Sequence, residues 1–246
     1  MIVLEVNKIY CSDCLELMRE IPDGSVNMIL CDLPYGTTQC KWDVILPFDK
    51  LWEQYHRISK NNSAIVLTAS QPFTSLLVTS NIKQYKYSWI WRKNKATGHL
   101  NAKKQPLREH EDVCVFASTR YYPVMGSGMA YNNHHRAGDS GECYGNVSES
   151  VRKNITTRYP RTILDFEVEH NPIHPTQKPV ELFEYMIRTY TEKGEVIIDN
   201  CCGSGTTAVA AIRTGRRFIG MDISPEYCAI AQKRVDAELA QYKLDL

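Results

Sequence analysis

Asp32, Leu33, Pro34, Tyr35 and Gly36 directly follow the apolar run Val26–Cys31 (VNMILC). Such a run reads as a strand, so these residues fall at the carboxyl edge of a sheet, where open α/β folds bind ligands. The chemistry they suit is activation of an exocyclic amine on a heterocycle. The lone pair of such an amine is delocalised into the ring, and acceptors for its two hydrogens push the nitrogen toward tetrahedral geometry and bring the pair forward. Asp32 supplies a carboxylate and Leu33 a backbone carbonyl. Pro34 biases Leu33 to an extended conformation, and Tyr35 offers a face on which a base can stack.

A second group lies near the end of the chain. Asp199-Asn200-Cys201-Cys202-Gly203-Ser204-Gly205-Thr206-Thr207 follows the strand Val196-Ile197-Ile198 and opens a helix. A glycine turn at a helix N-terminus lets backbone N–H groups approach a ligand closely. Asp222, ending the next strand about twenty residues after the glycines, is placed to accept both hydroxyls of a ribose. Together they imply an adenosine-containing cofactor. Thr206-Thr207-Ala208 after Gly205 does not continue a G-x-G-x-x-G, and no G-K-[ST] is present, so NAD and ATP are second choices. Cys11 and Cys14 form a C-x-x-C without the further ligands of a tetrahedral zinc site, and no metal is expected.

The elements that must carry these residues alternate between short apolar runs and amphipathic segments, the pattern of an α/β sheet. Strands are expected at 7–11, 26–31, 64–69, 87–92, 112–117, 196–200 and 217–222, seven in all. Helices are expected near 13–21, 49–60, 72–79, 179–190 and 206–214. A last helix is capped by Ser224 with Pro225 at its first position. Between 119 and 169, Gly, Ser, Asn, Arg and Tyr interrupt any period. A structureless loop of that length would be unusual in a compact domain, so an inserted recognition region is expected.

Composition narrows the class. The chain has 246 residues, 43% hydrophobic and 23% charged, enough for one substantial core. No run approaches the ~18 apolar residues of a membrane span, and no basic and apolar leader opens the chain, so a cytoplasmic location is expected. The nine scattered cysteines read as reduced thiols. The net charge of +1 averages unlike parts. Residues 83–108 carry eight basic and no acidic groups and 151–164 carry four unopposed basic groups, which leaves 17 basic against 28 acidic elsewhere.

Asp32-Leu33-Pro34-Tyr35, then His174-Pro175-Thr176-Gln177-Lys178-Pro179, then Asp199 to Thr207 resemble, in that order, the β-class amino-group DNA methyltransferases, which use S-adenosylmethionine. The resemblance implies a Rossmann-like class I methyltransferase fold, circularly permuted. Its sheet would be seven-stranded and mostly parallel, with a reversed terminal hairpin and an inserted target recognition region. The parts would be a catalytic half at 1–118, the recognition region at 119–169 and a cofactor-binding half at 170–246. It further implies that Asp32, Leu33, Pro34 and Tyr35 are catalytic. Asp199, Cys202, Gly203, Ser204, Gly205 and Thr206 would hold the methionine part of the cofactor, Asp222 its ribose and Asp13 its adenine. Thr176 and Lys178 would approach its carboxylate. Leu33 in place of a proline, and Asn200-Cys201 in place of Pro-Phe, depart from the pattern without removing a reacting group.

The reaction so implied is methylation of adenine N6 in a specific DNA sequence, without a covalent enzyme intermediate. N4-cytosine methylation on the same scaffold is the nearest alternative, and an inactive DNA-binding protein of this fold is the alternative of another class. The partner is double-stranded DNA with the target base extruded, at a cost of a few kcal/mol. Phosphate contacts are expected from Lys93, Lys95, Lys103, Lys104 and Arg108 in a basic loop, and from Arg152, Lys153, Arg158 and Arg161 in the recognition region. A homodimer and a cognate restriction endonuclease are both left open, as is the target sequence.

Overall fold

The computed structural model describes residues 4–40, 43–135, 138–139, 146–171, 173 and 176–244. Along the chain come β1 (Lys8–Cys11), α1 (Cys14–Met18), β2 (Val26–Cys31), α2 (Phe48–Ile58), β3 (Ser59–Ala69), α3 (Phe73–Ser80), β4 (Tyr85–Thr97) and a 3-10 turn at His99–Asn101. They are followed by β5 (Arg108–Phe116), β6 (Gly126–His135), β7 (Gly138–Asp139), β8 (Asn146–Val147), β9 (Ser150–Arg158) and β10 (Ile163–Asp165). The last elements are α4 (Val180–Tyr190), β11 (Val196–Asp199), α5 (Thr206–Arg213), β12 (Arg217–Asp222) and α6 (Pro225–Leu244). Two units result, residues 1–122 with 162–246, and residues 123–161.

The larger unit is built on one sheet of order β1-β12-β11-β2-β3-β5-β4-β10. All its pairs are parallel except those of β5, which runs antiparallel to both β3 and β4. The seven expected strands are present, with β5 as the reversed one. The sheet has an eighth member that sequence reading missed. Ile163–Asp165 pairs with Ile90–Arg92 at the edge, and a three-residue strand is too short to show a period of two. The segment from 162 onward therefore belongs with the sheet, and the second unit is shorter than the expected 119–169.

Strand side chains alternate between faces, and each face buries its own apolar layer. One layer holds Ile29, Cys31, Leu33, Ile65, Leu67 and Ile198 against Met18 of α1, Leu51, Trp52 and Tyr55 of α2, and Phe73 and Leu77 of α3. The other holds Met28, Leu30, Ala64, Val66, Trp89, Trp91, Val113, Val115 and Ile197 against Phe183 and Met186 of α4, Val209 and Ile212 of α5, and Val235 of α6. Strands buried on both faces read as continuous apolar runs, as VNMILC does. The smaller unit pairs β6 with β9 and β7 with β8, both antiparallel. Order exists there where the sequence suggested only interruption.

One basic-run expectation changes. The loop expected between residues 92 and 112 is shorter, 98–107, because β4 extends to Thr97 and β5 begins at Arg108. The eight cysteines among the described residues are free thiols, and no metal-ligand cluster occurs among the described residues. Among the described residues no helix is long and apolar enough to cross a membrane.

Candidate active site

The carboxyl ends of β11, β2 and β12, at the centre of the larger unit, open into a cavity of about 1030 Å³. Asp32, Leu33, Pro34 and Tyr35 border it, as do Asp13, Thr176, Lys178, Asp199, Cys202, Gly203, Ser204, Thr206 and Asp222. Residues from five separate stretches of sequence thus meet in one place. Gly205 does not border the cavity. Its φ of +83° begins α5, and a Cβ there would lie 3.0 Å from the Ala231 Cβ, so it serves the turn and the close approach of α6. His174 and Pro175 lie outside the described residues.

The Asp32 carboxylate is held from two sides. The Tyr35 hydroxyl lies 2.8 Å from Oδ1, the Thr68 hydroxyl donates to the same oxygen, and the Lys178 ammonium donates to Oδ2 at 2.7 Å. Register explains Thr68, since Cys31 pairs with Leu67, which sets Asp32 beside Thr68 on neighbouring strands. Leu33 sends its side chain into the core at 3% exposure, so the leucine at this position packs at the strand end.

Tyr35 is not the open stacking platform expected. Its ring already stacks on Phe73, with centroids 5.0 Å apart, and the Lys178 ammonium stands 5.4 Å from its centre. Burial, with Asp32 next, pushes its phenol well above the usual tyrosine range, so it remains a hydrogen-bond donor to Asp32. After it, Gly36 turns the chain at φ +66°. Asp43 then accepts the N–H groups of Gly36, Thr37 and Thr38 at 2.8, 2.9 and 2.7 Å. Against the penalty of burial, the Thr38 hydroxyl together with those three bonds holds the Asp43 carboxyl below its ordinary range.

Lys178 departs most from expectation. Its side chain is 5% exposed and lies between two carboxylates, Asp32 at 2.7 Å and Glu111 at 3.3 Å, instead of standing free for a cofactor carboxylate. Lys93, expected to meet DNA phosphate, is 8% exposed and paired with Glu111. Arg158 donates to the carbonyls of Met129, Ile155 and Thr157 and lies 4.2 Å from the Tyr131 ring centre, so it stabilises its own hairpin. Arg108 donates to Ser70 at 3.0 Å on the cavity wall. Lys95, Lys103, Lys104, Arg152, Lys153 and Arg161 are exposed, as phosphate contacts require.

On the other side, Asp222 ends β12 and takes the Gly203 N–H on Oδ2 at 2.8 Å and the Ser224 N–H on Oδ1 at 2.9 Å. A carboxylate has about four acceptor sites, so each oxygen retains one. Asp199 faces inward, accepting from Cys201 N–H at 3.1 Å and from the Thr207 hydroxyl. Burial raises its carboxyl to about 7. Asn200 is 1% exposed and accepts from the Tyr55 hydroxyl at 2.5 Å, so a polar pair fills the place where the family pattern has proline. Asp13 caps α1 through the N–H groups of Leu15 and Glu16 while bordering the cavity.

Thr68, Glu111 and Asp43 escaped sequence reading. A signal existed for Glu111, because Trp89, Trp91 and Lys93, like Glu111, Val113 and Val115, share one side by alternation.

A doubly covered, mostly parallel sheet with a carboxylate and a glycine turn at its central edge is the architecture of a class I methyltransferase. The DNA methylase family of N6 and N4 methyltransferases matches residues 26–233, and the chain belongs to it. The DNA adenine methyltransferase YhdJ of Escherichia coli is 26% identical over 94% of this chain and 83% of its own length. Among solved structures, M1.HpyAVI in complex with SAM superposes with a TM-score of 0.61 at 21% identity, covering 92% of this chain and 98% of that one. The cytosine-N4-specific PvuII DNA methyltransferase gives 0.67 at 15% identity, covering 96% and 90%.

Proposed function

We propose that this DNA methyltransferase transfers a methyl group from S-adenosylmethionine to the exocyclic N6 amine of adenine in a specific sequence of double-stranded DNA. The observation that carries this reading is the Asp32 carboxylate, fixed at the mouth of the central strands on the same cavity as Asp222 and the glycine turn. At about 1030 Å³ the cavity stands at the upper end of the ~300–1,000 Å³ of ligand pockets, which suits a cofactor and an extruded base side by side.

The residues present fit the cofactor. Ile223, 65% exposed although apolar, borders the cavity beside Asp222, and a purine would cover it. The remaining acceptor sites of Asp222 suit two ribose hydroxyls. When bound, S-adenosylmethionine supplies an electrophilic methyl on its sulfonium sulfur. The protein's part is to present the amine. Asp32 Oδ2 and the Leu33 carbonyl accept its two hydrogens, which localises the nitrogen lone pair. Tyr35 and Thr68, bonded to Oδ1, stop the carboxylate from rotating.

Adenine is favoured over cytosine by the aspartate that opens Asp32-Leu33-Pro34-Tyr35, a tendency of the family it resembles. Binding of duplex falls to the exposed Lys95, Lys103 and Lys104 and to Arg152, Lys153 and Arg161 of residues 123–161, the region proposed to recognise the target. Nucleoside mass spectrometry of unmethylated DNA treated with the enzyme tests the reading. N6-methyladenine is expected, and N4-methylcytosine without it would overturn the choice of base.

A further inference from the structure

Four adjacent strands lose their apolar character in the same way on the face covered by α4. In β2 the row Met28, Leu30 continues to Asp32; in β3 the row Ala64, Val66 continues to Thr68. In β5 Val115 and Val113 continue to Glu111, and in β4 Trp89 and Trp91 continue to Lys93. Trp91 pairs with Glu111 across the β4–β5 ladder, so Lys93 and Glu111 are diagonal neighbours. Lys178, two residues before α4, enters this edge from above the sheet.

The result is a line of alternating charge: Asp32, Lys178, Glu111, Lys93. Its side chains are 22, 5, 12 and 8% exposed in that order. Glu111 Oε2 is fully buried and has no aligned hydrogen bond, only the ion pair with Lys178 at 3.3 Å. A buried charge of this kind is costly unless balanced, and here each ammonium has a carboxylate beside it. Glu111 borders the cavity, but its Oε2 has no exposed surface and its Oε1 accepts from Lys93, so its effect on Asp32 passes through Lys178.

We infer that Glu111 is a positioning residue for methyl transfer, whose charge, set between two buried ammonium groups, keeps the cluster neutral and leaves Asp32 available as an acceptor for the target amine. Without it, Lys93 and Lys178 together put a surplus positive charge beside Asp32. Asp32 then binds Lys178 more completely and accepts less well from the amine. Although burial disfavours both charges, the two lysines hold Glu111 below its ordinary range, and Asp32 and Glu111 hold Lys178 above its own.

The inference rests on Asp32 as the amine acceptor, and its test separates the two. Transfer of tritiated methyl from S-adenosylmethionine to unmethylated genomic DNA counts either base. Glu111→Gln is expected to lower kcat about 10- to 100-fold, the scale of a misplaced reacting group, with cofactor Kd and KM changed less than about threefold. Adding Lys93→Met removes the surplus charge and should restore kcat to within about fivefold of wild type. A purely structural Glu111 would make the double variant at least as slow as the single one. Glu111→Gln at the wild-type rate, or a double variant no faster than Glu111→Gln, overturns the inference. If Glu111→Gln does not fold, the neutral double variant decides alone: folded and active supports the inference, folded and inactive overturns it, and failure to fold overturns it too. An active Asp32→Asn enzyme would instead overturn the reading of Asp32, whereas an inactive Asp32→Asn beside a wild-type-like Glu111→Gln rejects only the role of Glu111.

Discussion

Asp199 makes the stability of this fold fall with rising pH in a way that one substitution should remove. Its carboxyl is 4% exposed, and burial lifts its pKa to about 7, against about 3.9 in an unfolded chain. Hydrogen bonds from Thr207 and Cys201 only partly offset the burial. Because the folded value is the higher one, the native state holds a proton between about pH 4 and 7 that the unfolded state has released. Stability therefore decreases as pH rises through that window. Integrating from pH 5 to pH 8 gives a loss of about 2.6 kcal/mol from this group. Asn at 199 has the same shape and no charge, and the Thr207 hydroxyl can turn toward the Leu30 carbonyl, 3.4 Å away. Asp199→Asn should therefore gain on wild type by about 2 to 3 kcal/mol between pH 5 and pH 8. That is a relative rise in Tm of roughly 5–10 °C for a chain of this size. Urea unfolding at pH 5, 6, 7 and 8 without cofactor measures it. A difference between the two proteins that stays constant with pH, or shrinks as pH rises, refutes the reasoning.

Three further outcomes follow from the geometry. Asp222→Asn should raise the Kd for S-adenosylmethionine by about 10- to 100-fold in calorimetry, the worth of a charge-assisted hydrogen bond of ~1.5–3 kcal/mol, and an unchanged Kd would remove Asp222 from the cofactor site. Asp43→Ala strips the acceptor from three N–H groups after Tyr35 and should cost of order 1–3 kcal/mol in urea unfolding, with wild-type stability as the contrary result. Lys103→Ala with Lys104→Ala should reduce the slope of log K against log salt for DNA binding by about one per lysine. Lys93→Met should leave that slope unchanged, and an equal effect from Lys93 would contradict its burial with Glu111.

Local pattern made half of this site legible. Asp32 and the glycine turn each follow an apolar strand and Asp222 ends one, and a strand end followed by a turn shows in a few consecutive residues. The same holds for the helices, whose caps and apolar faces lie within one segment. What stayed hidden depends on which strands are neighbours. Thr68 matters because β3 lies beside β2, and Glu111 because β5 runs back between β3 and β4. Charge misled where it was read as solvent-facing, since Lys93 continues the buried row of Trp89 and Trp91, and Arg158 folds onto its own hairpin. Lys178 was legible as a site residue, but its partner Asp32 lies 146 positions away in sequence, and only the fold brings them together. β10 was missed because three residues carry no period.

The role proposed for Asp32 is to accept hydrogens from the target amine, with no part in holding the cofactor. Single-turnover methyl transfer by Asp32→Asn, with the Kd for S-adenosylmethionine measured separately, tests it most directly. The expected rate is lower by about 10²–10³, the cost of removing one preorganised transition-state hydrogen-bond partner, with Kd within about threefold of wild type. A rate within tenfold of wild type, or a loss explained by weaker cofactor binding, would contradict it.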